Sequence, residues 1–220
     1  MKGERLVFVH LPKTGGMAVR HALASNVRKK RWLRLTHKRW LRLTHRGKRK
    51  YSLTQRVANA SEGKDHPLTV FAIVRNPFER TLSAYWYLKN GGERHNNVDV
   101  KDYRRYVEPY TDFNDFVESG GLLEASTNQV HFRPQAFWLR ARDIRKNEVE
   151  WVVWDKVKLF KYESMGKELP QYLTEWAEKP VTLERKNTTK DKPSHTETTA
   201  KTSDIIAEVY AQDYALWTNL

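Results

Sequence analysis

The chain has 220 residues and no cysteine, which excludes disulfides, thiolate catalysis and zinc sites built on sulfur. That length suits one α/β domain over residues 1–220, and eight Trp and ten Tyr supply material for a core. Formal net charge is +14, and no apolar run approaches the roughly 18 residues that a membrane helix needs. The expectation is a cytoplasmic protein without a transmembrane segment, whose basic field favours polyanionic partners.

Leu6 to Val9 reads as a buried strand and Met17 to Val27 as a helix, joined by Pro-Lys-Thr-Gly-Gly at 12–16. Strand, glycine loop and helix in that order present backbone N–H groups to a phosphate. The order is not Walker's, because Lys13 precedes the glycines. Lys13 supplies a positive point charge, while Thr14, Gly15 and Gly16 let the backbone wrap an anion closely.

Between Glu4 and Glu62 there is no acidic residue, and Arg28 to Lys50 is dense in Lys and Arg. Within it the octapeptide KRWLRLTH at Lys30–His37 is repeated unchanged at Lys38–His45. In a helix the second copy would rotate about 80° from the first, whereas an extended chain keeps the same faces in both copies. We read this as a tandem insertion in a basic loop or frayed helix, with Trp32 and Trp40 available to stack on sugars or sit at an interface.

Tyr51 to Ala60 is a short helix. Leu68 to Val74, LTVFAIV, is apolar on both faces, as in parallel sheets. RNPFERTLSAYWYLK follows, with Asn76 as cap, Pro77 at the first helical position and Glu79 completing a capping box. Arg75 ends the strand and Ser83 lies two turns into the helix, placing a bidentate guanidinium and a hydroxyl donor for a second phosphate. Arg80 faces the same side as Ser83 and belongs either to that site or to a structural ion pair. Asn90 to Asn97 is a polar loop, Asp112 to Glu118 a helix, and His131–Leu139 a loop entering an aromatic element. Val149–Trp154 and Val157–Tyr162 are strands, Ser164–Glu178 an amphipathic helix, Arg185 to Thr199 a loop, and Ser203 to Trp217 a closing helix. The alternation predicts an α/β fold with a parallel sheet, both anion loops at the carboxyl ends of strands. A ligand held by both loops carries anionic groups at both ends.

HLPKTGG at His10–Gly16 resembles the 5′-phosphosulfate loop of sulfotransferases, and RNPFERTLSAY at Arg75–Tyr85 their 3′-phosphate motif, with the arginine-to-serine spacing intact. HFRPQ, LFKYESM at Leu159–Met165 and the tail NTT…YAQDYALW are similar to carbohydrate O-sulfotransferases of the heparan and chondroitin type. The resemblance runs in order through most of the chain. It implies a P-loop-kinase-like three-layer fold, a central parallel β-sheet flanked by helices. It also implies transfer of a sulfuryl group from 3′-phosphoadenosine 5′-phosphosulfate (PAPS, leaving PAP) to an acceptor hydroxyl, without a metal.

Carried onto this chain, the resemblance assigns donor binding to Pro12, Lys13, Thr14, Gly15, Gly16, Met17, Arg75 and Ser83, with Lys13 also neutralising the leaving phosphate. Met17 stands where the motif commonly carries Thr or Ser, so one hydroxyl contact is missing. Arg185 and Lys186 lie where the family places further donor contacts. The acceptor hydroxyl needs a base. The family puts a His or Glu after the first helix, and here the repeat supplies His37 and His45. His45 is preferred because it directly precedes the next helix; His131 comes third. His10 is read as orienting the loop and Glu163 as structural.

The implied acceptor is a hydroxyl-bearing substrate, an anionic glycan, with no nucleic acid expected. One rival is an ATP-dependent phosphotransferase, which needs a Walker lysine after the glycines and magnesium-binding carboxylates; neither is near the loop. The other is a non-catalytic polyanion-binding module built on Arg28–Lys50, which explains the charge but not the paired loops.

Overall fold

The computed structural model describes residues 5–27, 32–36, 68–91, 97–139, 141–143, 148–150, 157–184 and 196–220. The chain divides into two compact units, one of residues 1–74, 135–186 and 220, the other of 75–134 and 187–219.

The first unit is built on four parallel strands: β1 (Arg5–His10), β2 (Trp32–Thr36), β3 (Leu68–Val74) and β6 (Val157–Lys161), in the order β2-β1-β3-β6. Val9 pairs with Ala72 across β1 and β3, and Val74 with Lys161 across β3 and β6. Leu6, Val7 and Phe8 of β1 and Phe71 to Val74 of β3 have no exposed surface, which is why both strands read as unbroken apolar runs. The helices α1 (Gly16–Asn26) and α7 (Met165–Ala177) share one core with this sheet. Val19 and Leu23 from α1 meet Leu169, Leu173 and Trp176 from α7, around Phe8 stacked on Phe71 at 5.0 Å. The unit also holds the short helix α6 (Gln135–Trp138) and an antiparallel pair, β4 (Ala141–Asp143) with β5 (Glu148–Glu150). From β1 the chain goes to β2 on one side and then returns to β3 on the other. The strand order therefore reverses at the β1–β3 pair, the place where α/β sheets bind ligands beyond their carboxyl ends.

The second unit is helical among its described residues: α2 (Pro77–Lys89), α3 (Asn97–Tyr106), α4 (Phe113–Glu118), α5 (Gly121–Asn128), α8 (Ala200–Val209) and α9 (Ala211–Thr218). Leu82, Tyr85, Phe113, Phe116, Phe132 and Ile206 form its core, with the Tyr85 and Phe113 rings 5.2 Å apart edge to face. Burial pushes the Tyr85 phenol up to about 12. No helix among the described residues is long and apolar enough to cross a membrane.

Several expectations need correction. The first octapeptide copy is neither loop nor helix from Trp32 to Thr36: it is β2, an added parallel strand whose Trp32 aligns with Leu6 and Thr36 with His10. The alternating Trp-Leu-Arg-Leu-Thr suits an extended chain, and Trp32 packs against the sheet core instead of standing free for a sugar. The second copy and the proposed helix at 51–60 lie outside the described residues. Helices α3 and α5 have no counterpart in the sequence reading. The closing helix is two, interrupted at Tyr210, whose φ of −114° and ψ of 28° turn the chain. Of the strand expected at 149–154, the described part is Val149 and Glu150 in β5.

Candidate functional site

The loop after β1 is shaped by backbone sign. Lys13 has φ 67° and Gly15 φ 76°, with Thr14 between them at negative φ. Gly16 then opens α1. Alternating signs over consecutive residues curl the chain so that neighbouring N–H groups face one concavity, a nest that takes an anion. Gly15 caps α1 without a side chain, and among the described residues no side chain caps the helix start. Thr14 is fully buried and its Oγ1 donates to the Leu11 carbonyl at 3.0 Å, bracing the turn from below. Pro12 is buried, while Lys13 and Met17 keep partial exposure.

Both glycines are sterically required. A Cβ on Gly16 would fall 2.0 Å from His10 Cδ2, and the His10 ring in turn stacks on Phe8 at 5.5 Å. A Cβ on Gly15 would fall 2.9 Å from Tyr162 Cε2 and 3.0 Å from Met165 Cε. LFKYESM thus supplies the cover of the loop, a role that its own composition does not reveal.

The second junction begins where β3 ends. Asn76 caps α2, its Oδ1 accepting from the Glu79 N–H at 3.2 Å, and Pro77 occupies the first turn. Arg75 lies just before the cap, its side chain 13% exposed and its Nη2 3.4 Å from a Glu79 carboxylate oxygen. Ser83 is buried on the same helix. β1 and β3 are parallel neighbours, so the Pro12–Met17 loop lies at the end of the sheet where β3 finishes at Val74.

The family model described as Sulfotransferase family matches residues 2–218. The chain belongs to the sulfotransferase family. No curated protein and no solved structure matches it. As a sulfotransferase it is a transferase of sulfuryl groups, and its α/β architecture with a parallel sheet is the P-loop-like fold of that family.

Of this sulfotransferase's histidines named from sequence, His37 and His45 lie outside the described residues, as do Arg185 and Lys186. His131 is part of a frame in the second unit. Its N–H donates to Gln129 Oε1, its carbonyl accepts from Arg80 Nη1 at 3.0 Å, and its ring lies 4.8 Å from that of Tyr87. Tyr87 donates to Asp99 at 2.7 Å, and Gln129 donates to Asp102 at 3.2 Å. Burial pushes the Asp102 carboxyl up, and the Asp99 charge adds to that against the Gln129 hydrogen bond.

Arg80 is structural in this sulfotransferase. It has no exposed surface, lies 3.8 Å from Asp213 and sits 5.2 Å over the Tyr210 ring. Burial pushes the Tyr210 phenol up to about 12, and its hydroxyl donates to the Phe132 carbonyl. The tail motif YAQDY and the segment HFRPQ are therefore two sides of one buried polar cluster. The spacing of Arg80 along α2 placed it on the Ser83 side but could not show where its partner lay.

Proposed function

We propose that this sulfotransferase moves the sulfuryl group of PAPS to a hydroxyl of an anionic carbohydrate. The observation that carries the reading is the Lys13–Gly16 nest opening α1 at the reversal point of a parallel sheet, in a chain whose family match spans residues 2–218. The nest and Lys13 take the 5′-phosphosulfate. Arg75 and Ser83 take the 3′-phosphate, the group that distinguishes this donor from ATP. The residues fit such a donor: a glycine-lined N–H concavity for one anion, and for another a guanidinium just before α2 and a hydroxyl within it.

In the step itself the acceptor oxygen forms a bond to sulfur as the bond from sulfur to the bridging oxygen breaks. The electron pair stays on the 5′-phosphate, where Lys13 offsets the charge, and the acceptor proton passes to a base, His45 or His37. The net charge of +14 supports an anionic acceptor.

Calorimetric titration with adenosine 3′,5′-bisphosphate and with ATP tests the donor. The reading expects preference for the bisphosphate, abolished in Arg75→Ala. Magnesium-dependent preference for ATP, or salt-sensitive polyanion binding with no nucleotide binding, would refute it.

A further inference from the structure

We propose that Tyr162 is a positioning residue for the donor, holding the Gly15 turn of the anion loop in its binding shape; this rests on reading that loop as the 5′-phosphosulfate cradle. Tyr162 directly follows β6 at the carboxyl end of the sheet. Its N–H donates to the Val74 carbonyl at 2.7 Å, extending the β3–β6 ladder one step past Val74 and Lys161. Its ring edge reaches the opposite side of the same sheet end, with Cε2 2.9 Å from where a Gly15 Cβ would stand. One residue is thus hydrogen-bonded by its backbone to the last residue of β3, while its ring stands against the loop after β1. Met165, at the start of α7, closes the same face with Sδ 3.1 Å from that position.

The contact falls at Gly15, one of the two positive-φ residues of the nest, where glycine's conformational freedom gives the turn no side chain of its own to hold it. Thr14 braces the turn through the Leu11 carbonyl, and Tyr162 covers it from the β6 side. Tyr162 sits at the border of the sheet core and remains partly exposed, so the ring backs the loop while the core packs beneath it. A loop held in its bound shape before the anion arrives loses less on binding, so the ring contributes to affinity without touching the ligand.

The test titrates adenosine 5′-phosphate and adenosine 3′,5′-bisphosphate into wild type, Tyr162→Ala, Tyr162→Phe and Arg75→Ala. Tyr162→Ala should weaken both nucleotides by one common factor of about tenfold, leaving their ratio unchanged. Tyr162→Phe should bind as wild type does, because the ring makes the contact. Arg75→Ala should act on the bisphosphate alone. Gly15→Ala approaches the contact from the other side and keeps the test open if Tyr162→Ala does not fold. It should weaken both nucleotides equally, and adding Tyr162→Ala should weaken them no further. Wild-type binding in Tyr162→Ala, failure of Tyr162→Phe to rescue, or collapse of the ratio would overturn the proposal. No preference for the bisphosphate in wild type would instead overturn the 3′-phosphate reading, leaving the common-factor loss to judge Tyr162. Binding of neither nucleotide would overturn both.

Discussion

The imidazole of His10 fills the space that any side chain at position 16 would need, with Cδ2 2.0 Å and Nε2 2.1 Å from an ideal Gly16 Cβ. Alanine at a helix start gains up to about 1 kcal/mol in propensity over glycine, but here it must displace a ring stacked on Phe8. Overpacking of this kind costs about 1–3 kcal/mol, so the clash wins. Gly16→Ala should lower the denaturation midpoint, and His10→Ala in the same chain should restore most of it. A Gly16→Ala variant as stable as wild type would show that the ring moves aside freely.

Lys13 combines a strained backbone with the charge assigned to the leaving phosphate. Its φ of 67° costs an L-residue roughly 1–2 kcal/mol. Lys13→Gly removes that strain and Lys13→Ala retains it, while both remove the ammonium group. Lys13→Gly should therefore unfold no earlier than wild type and later than Lys13→Ala. Both should lose turnover by about 10²–10³-fold, the scale of one preorganised transition-state contact. Radiolabelled sulfuryl transfer and urea melts on the same preparations separate the two effects.

Arg80 and Asp213 illustrate how a buried pair reacts to loss of one partner. Both side chains have no exposed surface. Asp213→Ala leaves a guanidinium without its counter-charge, a loss of about 3–5 kcal/mol. Arg80→Met with Asp213→Leu removes both charges and should recover much of this. It should not recover all, because the His131 carbonyl loses its Arg80 donor, and an unmet buried acceptor costs about 1–3 kcal/mol. The Phe132 carbonyl keeps the Tyr210 hydroxyl. Chemical denaturation of both variants measures the difference.

What was legible in the sequence follows from how locally each feature is determined. Asn76, Pro77 and Glu79 encode the start of α2 within four residues, and the capping bond forms as their order implies. The apolar runs of β1 and β3 read correctly because burial on both faces leaves no room for polar residues. β2 did not read, since its strand is decided by backbone pairing with β1 and its basic residues mimic a solvated loop. α3 buries Asp99 and Tyr106 where an apolar stripe would ordinarily mark a helix, so its periodicity is hidden. The Tyr162 cover of Gly15 and the Asp213 partner of Arg80 are contacts between segments far apart in the chain. Nothing within either segment signals them.

The Glu118 carboxylate ties α4 to the start of α8 and gives stability a definite pH dependence. Thr199 donates its hydroxyl to Glu118, Thr202 donates at 2.9 Å, and the Lys201 ammonium lies 3.2 Å away. The Thr199 hydrogen bond, then that of Thr202, hold the carboxyl below the ordinary glutamate value. A folded-state value below the unfolded one means that the unfolded chain binds more protons in the interval between them. The stabilisation is therefore complete above the ordinary glutamate value and is lost as pH falls through the lower, folded value. Asp115 on the same helix, held down first by the Ser119 hydroxyl, adds a dependence of the same sign. Comparison with Glu118→Gln cancels it, because Asp115 is present in both chains. Wild type should melt above Glu118→Gln at neutral pH, with the gap closing as acid protonates Glu118. A gap that widened in acid would mean that the carboxylate is disfavoured in the folded state, contrary to its three donors.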